Sequence, residues 1–258
     1  MFFNIGLLNT IFPPNAEGFR SVPLHVYFIA LGAVLLVSYF LGSINSAIII
    51  SKLLYGKDIR TLGSGNAGMT NMLRNFGAKA AVLTLVGDLL KTVIAVLLSG
   101  IVFGFAYKNG MSYNGEGYLA GLMTVIGHIF PVYYRFKGGK GVLATSVMTL
   151  ILCPGAFLVL FVVFAALIAW TRYVSLGSVM GACLLPIALQ AYCSVFLQVP
   201  MHGLTTLATI VVAVLIVFCH RENLVRIGNK TENKLSFGKK KKAVEPEDAP
   251  EEEKSDEE

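Results

Sequence analysis

Three polar segments hold the residue types that could do chemistry, and phosphate is the group they suit. The first is Gly63-Ser64-Gly65-Asn66-Ala67-Gly68-Met69-Thr70-Asn71-Met72-Leu73-Arg74. Glycines let a backbone approach an anion closely and turn N–H groups toward it. Ser64, Asn66, Thr70 and Asn71 add neutral donors, and Arg74 offers a planar fork that fits phosphate. A helix beginning in or just after this loop would add its positive dipole end. A flexible glycine-rich connection would read the same way, so this segment alone decides nothing.

The second segment is Phe136-Lys137-Gly138-Gly139-Lys140-Gly141-Val142-Leu143-Ala144-Thr145. It approaches a nucleotide-binding P-loop without satisfying it: no Ser or Thr follows Lys140-Gly141 before Thr145, and no strand precedes it. Two lysines among three glycines at a helix start still make a plausible oxyanion cradle, although basic residues at helix ends are routine. The third segment is His220-Arg221-Glu222-Asn223-Leu224-Val225-Arg226. On a continuous helix His220 and Asn223 share a face, as do Asn223 and Arg226. That arrangement suits a phosphate-bearing substrate, and it equally suits a lipid headgroup. Tyr173 to Ser178 adds hydroxyls after Arg172, and Asp88 and Lys91 stand three apart in apolar sequence. As an internal ion pair or as an ion pathway, such a pair inside a membrane span is costly and calls for a reason.

The elements that must position these residues are membrane helices. Of 258 residues, 55% are hydrophobic and 14% are Asp, Glu, Lys or Arg, with a mean hydropathy of +0.69. A soluble domain carries about 25% charged residues, so the soluble class is excluded, and so is disorder over most of the length. The net charge is +6, but Lys239 to Glu258 holds five Lys against nine Asp or Glu, which leaves +10 on the rest. Such an excess marks cytoplasmic loops, anionic substrates or anionic headgroups. Cys153, Cys183, Cys193 and Cys219 lie singly in apolar sequence, and His25, His128, His202 and His220 form no ligand cluster. We expect no metal site, no disulfide framework and no cofactor, and nothing suggests a nucleic-acid partner.

Hydropathy predicts an all-α membrane protein of about seven transmembrane helices, the N-terminus outside and the C-terminus cytoplasmic. Residues 1–23 form an N-terminal interfacial extension, 24–238 the membrane domain, and 239–258 a disordered charged tail. The spans are expected at about Leu24–Ile50, Ala80–Ala106, Tyr118–Tyr134, two within Val142–Trp170, Leu176–Leu197 and Leu204–Cys219. Lys52 to Lys79 is a basic inner loop and Tyr107–Gly117 an outer one. Cys153-Pro154-Gly155 breaks the fourth stretch, making either one kinked span or a hairpin of two short helices. We favour the hairpin, which returns Arg172 to the inner side. Phosphate-binding residue types then gather on one face, favouring an enzyme or carrier for a phosphorylated, lipid-related molecule. A transporter of an anionic solute would use similar clusters, but no internal repeat is visible and the polar segments avoid the midplane.

At these residues the chain resembles the bacterial integral-membrane glycerol-3-phosphate acyltransferases that use acyl-phosphate as donor. The matching stretches are Gly42-Ser43-Ile44, Lys57-Asp58-Ile59-Arg60 through Gly63-Ser64-Gly65-Asn66 to Arg74, Asp88-Leu89-Leu90-Lys91 and Gly127-His128-Ile129-Phe130-Pro131-Val132. Further along come Phe136 to Val142, Arg172-Tyr173-Val174-Ser175-Leu176 and His220-Arg221-Glu222-Asn223. They occur in the family's order between about Leu41 and Asn233. The resemblance implies transfer of a long acyl chain from acyl-phosphate to the 1-hydroxyl of sn-glycerol 3-phosphate, giving lysophosphatidic acid and phosphate. It implies the two substrates and the lipid bilayer as partners, and a bacterial cell membrane with the site facing the cytoplasm. It also implies catalytic roles for Ser64, Arg74, Lys140, Ser178, His220 and Asn223. Phosphate contacts would come from Ser64, Gly65, Asn66, Thr70, Asn71, Arg74, Gly138, Gly139, Lys140 and Gly141. One departure stands out: the chain has Gly228-Asn229-Lys230-Thr231-Glu232 where the family usually has Gly directly before a Thr/Arg-Glu pair, which puts the role of Glu232 in question.

Overall fold

In a computed structural model the described residues are 6–12, 22–104, 107–108, 111–112, 115–198 and 200–235. Four residues of the expected outer loop, the tail after residue 238 and much of the N-terminal extension, including Pro13-Pro14, lie outside them. Among the described residues ten α-helices follow in order: α1 Leu7–Ile11, α2 Leu24–Ser43, α3 Ser46–Tyr55, α4 Met69–Phe103, α5 Gly115–Ile129, α6 Val142–Leu152, α7 Pro154–Thr171, α8 Val174–Tyr192, α9 Gly203–Cys219 and α10 Arg221–Gly228. A two-residue antiparallel ladder, β1 Tyr107–Lys108 with β2 Met111–Ser112, joins α4 to α5.

All seven expected apolar segments are helical. Among the described residues four helical stretches reach spanning length and apolarity: Leu24–Tyr55, Met69–Phe103, Pro154–Thr171 and Val174–Phe196. A fifth is made by α9 and α10, bent at 54°. With 15 and 11 residues, α5 and α6 fall short of the roughly 20 needed to cross.

Several boundaries differ from the sequence expectation, among them the end of α5 at Ile129, five residues before Tyr134, and three have a clear local reason. The first stretch breaks at Ile44, where ψ is 106°, and the buried Asn45 restarts it by accepting from Ile48 N–H. The helix then runs to Tyr55, into the expected loop. On the other side of that loop, α4 begins at Met69, eleven residues before the expected Ala80, and bends at Gly77 (φ 81°). In the hairpin only α6 is short; with 18 residues α7 is long enough to cross, with Pro154 in its first turn where a missing N–H costs nothing. The out-and-back path itself is present. Lys140 before α6 and Ser175 after α7 both bond Asn223, so the two ends of the pair meet.

Packing relies on close backbone approach, the usual device where lipid removes the hydrophobic drive between helices. A Cβ on Gly42 of α2 would lie 2.3 Å from the Thr124 carbonyl of α5, and one on Gly127 of α5 would lie 2.3 Å from the Tyr39 carbonyl. A second core joins α5, α6, α8 and α9 through Tyr118, Met148, Leu152, Leu185, Leu189 and Ile216. Leu8 of α1 packs with Val34, Phe103 and Ala120. Only Ala156 of α7 is buried and half of the helix is exposed, Trp170 to 85%, as in a lipid-facing helix. Gly127→Ala should lower stability by about 1–3 kcal/mol, the usual cost of overpacking, because the clash is with backbone. The check is the melting temperature in detergent, and an unchanged value would contradict the close approach.

Candidate active site

The first glycine loop is shaped from within by Asn71. Its buried side chain donates to the carbonyls of Ile59, Leu62 and Asn66 at 3.2, 2.9 and 3.1 Å, and its Oδ1 accepts from Ser64 N–H at 3.2 Å. Asn71 therefore shapes the loop, and Gly63 and Gly65 supply its left-handed turns. The loop's base is tied to the second glycine loop. Asp58 binds Arg60 at 2.7 Å, and Arg60 Nη1 donates to the carbonyls of Tyr134 and Lys137. That guanidinium holds the Asp58 carboxyl well below the usual range, despite partial burial.

The second loop runs back over the end of α5. Gly138 N–H bonds the Ile129 carbonyl at 3.1 Å and Gly139 N–H bonds the His128 carbonyl at 3.0 Å. Both donors are spent, and a Cβ on either residue would lie 2.0 Å from His128. Gly138 and Gly139, expected as phosphate ligands, are close-packing positions outside the cavity lining. Lys140 and Gly141 do reach the cavity.

The third cluster is a polar knot. Lys140 Nζ donates to Asn223 Oδ1. Asn223 Nδ2 donates to Ser175 Oγ at 3.0 Å and to Glu232 Oε1 at 2.6 Å, and Ser175 Oγ donates to the same carboxylate oxygen at 2.7 Å. Arg226 Nε closes the knot on Glu232 Oε2 at 2.8 Å. Despite its altered sequence context, Glu232 sits at the centre of the network. It is the only carboxylate between Glu222 and Glu245, a signal that could have found it. Ser175, not Ser178, joins the network; Ser178 lines the cavity but donates to the Val174 carbonyl of its own helix. The helix does not run straight through His220, where α9 ends. His220 Nδ1 lies 2.8 Å from the Ile216 carbonyl. A carbonyl only accepts, so Nδ1 holds the ring proton and Nε2 is the acceptor.

These parts surround one cavity of about 650 Å³. Ser64, Gly65, Asn66, Thr70, Asn71, Arg74, Lys140, Gly141, Ser178, His220 and Asn223 all line it, with Arg74 exposed. The N-terminal turns of α4, α6 and α8 reach it through Thr70, Val142 and Ser175, and none of the three has a side-chain cap or an acidic residue in its first turn. Asn45 caps α3 and His202 caps α9, whereas α2 and α7 are uncapped as well. Three open helix starts, a guanidinium and an ammonium make a strongly anion-attracting mouth. Burial lowers Lys140 below the ordinary lysine value, against the opposing pull of Glu232. Phe157, Leu160, Phe161 and Phe164, one face of α7, form an apolar wall that the polar motifs did not foretell.

Burial pushes the Glu232 carboxyl up, but hydrogen bonds from Ser175, Arg226 and Asn223 outweigh it and hold the group below its usual value. A carboxyl lowered in the folded state contributes stability that is complete above its unfolded value, about 4.3, and is lost as pH falls through the folded value. The melting-temperature gap between wild type and Glu232→Gln should therefore be widest near neutral pH and should shrink in acid. A gap independent of pH would show that the knot does not depend on the charge.

Residues 32–230 match the family model described as glycerol-3-phosphate acyltransferase. A relative named glycerol-3-phosphate acyltransferase 2, from Bacillus anthracis, is 41% identical over 201 residues, covering 78% of this chain and 97% of the relative. The glycerol-3-phosphate acyltransferase of Halalkalibacterium halodurans is 41% identical over 218 residues, covering 83% and 99%. The crystal structure of PlsY, an integral membrane glycerol 3-phosphate acyltransferase, in its glycerol 3-phosphate form superposes with a TM-score of 0.68 at 32% identity. It covers 80% of this chain and 96% of that one; the lysophosphatidic acid form gives 0.67. An integral membrane protein by its helices and its relatives, this chain belongs to the glycerol-3-phosphate acyltransferase family.

Proposed function

We propose that the protein transfers a long-chain acyl group from acyl-phosphate to the 1-hydroxyl of sn-glycerol 3-phosphate. The products are lysophosphatidic acid and inorganic phosphate, and the step opens phospholipid synthesis. One observation carries this reading: the anion-attracting mouth and the apolar α7 wall belong to the same cavity. Two phosphates can be held at the mouth while an acyl chain lies along Phe157, Phe161 and Phe164 toward the bilayer. The relatives' names supply glycerol 3-phosphate as the acceptor.

Acyl-phosphate is an activated mixed anhydride, so the site needs chiefly to orient two anions and stabilise charge on the carbonyl oxygen. The 1-hydroxyl oxygen bonds to the acyl carbon, the bond from that carbon to the phosphate oxygen breaks, and the hydroxyl proton leaves on a phosphate oxygen. Arg74, Lys140 and the open N–H groups of α4, α6 and α8 reduce repulsion between the phosphates. His220 Nε2 can accept a substrate hydroxyl and so orient it. Transfer is direct, with no acyl-enzyme; a covalent acyl adduct trapped by rapid quenching would overturn that step. The excess of basic residues in the loops supports a cytoplasmic site in a cell membrane, with the N-terminus outside and the C-terminus inside.

The test is phosphate release by purified protein given palmitoyl-phosphate with and without glycerol 3-phosphate. Release should need both substrates, and Arg74→Ala and Lys140→Ala should each lose about 10²–10³-fold, the usual cost of removing a preorganised charge-stabilising donor. No release from folded wild type would sink the enzyme reading and favour a carrier for an anionic solute.

A further inference from the structure

Lys91 lies inside the apolar length of α4, 4% exposed, far from any phosphate-binding residue in sequence. Charged groups at such a depth are costly and are kept for a purpose. An ammonium has three hydrogens, and four groups crowd this one, three of them from outside α4. Nζ is 3.1 Å from the Gly42 carbonyl, 2.8 Å from the Ile44 carbonyl and 2.9 Å from His128 Nδ1. Asp88 Oδ1, one turn back on the same helix, completes the surroundings as an ion pair at 2.9 Å.

Each acceptor outside α4 leads to one of the two glycine loops. Gly42 and Ile44 are at the break between α2 and α3, where helix-end carbonyls have no intrahelical partner. One residue on, Asn45 reaches Ala67 in the first glycine loop, its Nδ2 3.4 Å from that carbonyl. On the other side, His128 lies under the second loop: its carbonyl takes the Gly139 N–H, and a Cβ on Gly139 would lie 2.0 Å from His128 Nε2. The same Cβ would lie 2.8 Å from the Ala67 carbonyl, so the two loops meet at Gly139.

We propose that Lys91 is a positioning residue for the reaction: by holding the α2 break and the His128 ring at once, its ammonium sets the two glycine loops in register. Arg74, in the first turns of α4 just after the first loop, and Lys140, in the second loop, then face one substrate pair at a fixed separation. This rests on the acyl-transfer reading for its catalytic consequence, but the positioning itself can be read without substrate.

The first measurement is hydrogen exchange by mass spectrometry on the full chain in detergent. Lys91→Met alone would leave Asp88 a buried unpaired charge, so it is combined with Asp88→Asn. Exchange in 63–68 and 138–141 should rise together by about ten-fold or more, with α7 and α8 unchanged. His128→Ala should loosen 138–141 and leave 63–68 protected. Loosening spread evenly over the bundle, confined to α4, or absent would overturn the proposal. The second measurement is turnover per folded molecule of the double variant. Here kcat should fall about ten-fold or more while KM for glycerol 3-phosphate moves less than about three-fold, a split that simple loss of stability does not produce. Unchanged kcat per folded molecule would overturn the proposal. Wild type that does not turn over would overturn the acyl-transfer reading, with the exchange pattern still deciding the role of Lys91.

Discussion

A helix that ends inside a packed membrane bundle leaves carbonyls and N–H groups that need partners from the protein, and this protein breaks several of its helices. The cost of an unsatisfied backbone group in lipid is several kcal/mol, so every break needs a built partner. At Ile44 the partners are Lys91 for the carbonyls and the Asn45 side chain for the restarting N–H groups. At the end of α5 they are the N–H groups of Gly138 and Gly139, folding back onto Ile129 and His128. Both solutions draw a polar loop tightly against the bundle, and both loops line up on one cavity.

The same constraint accounts for the electrostatics. Helix N-termini carry partial positive charge, and the first turns of α4, α6 and α8 border the cavity without side-chain caps. Combined with Arg74 and Lys140, they offset the repulsion expected between two phosphates held together. Glu232 is the counterweight. It ties Ser175, Asn223 and Arg226 into one network and, through Asn223, fixes where the Lys140 ammonium can stand. A half-length α6 returning as a full-length α7 gives the cavity its apolar side, so one fold supplies a wet charged mouth and a greasy wall.

Residue chemistry alone pointed to phosphate at Ser64–Arg74, Phe136–Thr145 and His220–Arg226, and all three segments contribute to the cavity. Where that reading failed, it did so over contacts. Gly138 and Gly139 look like phosphate-binding glycines, but their N–H groups are already bonded and their missing side chains make room for His128. Ser178 and Ser175 are indistinguishable by type; one turn of α8 separates the hydroxyl that joins the network from the one that bonds its own helix. The ion pair of Asp88 and Lys91 was legible from its spacing, but its third partner, His128, comes from another helix thirty-seven residues away.

What the sequence by itself determined was the solvent and the chemistry. Its apolar runs require helices in lipid, its scarce charges must be paired or functional, and its glycine- and cation-rich breaks suit anions. Those properties are local, because hydropathy, helix breaking and donor type belong to each residue wherever it sits. Tertiary structure alone decided which breaks meet, which glycine donors are consumed, and that Glu232 and Lys91 each hold together segments far apart in the chain. Those outcomes depend on separations of two to four ångströms between different helices, which no spacing along one chain specifies.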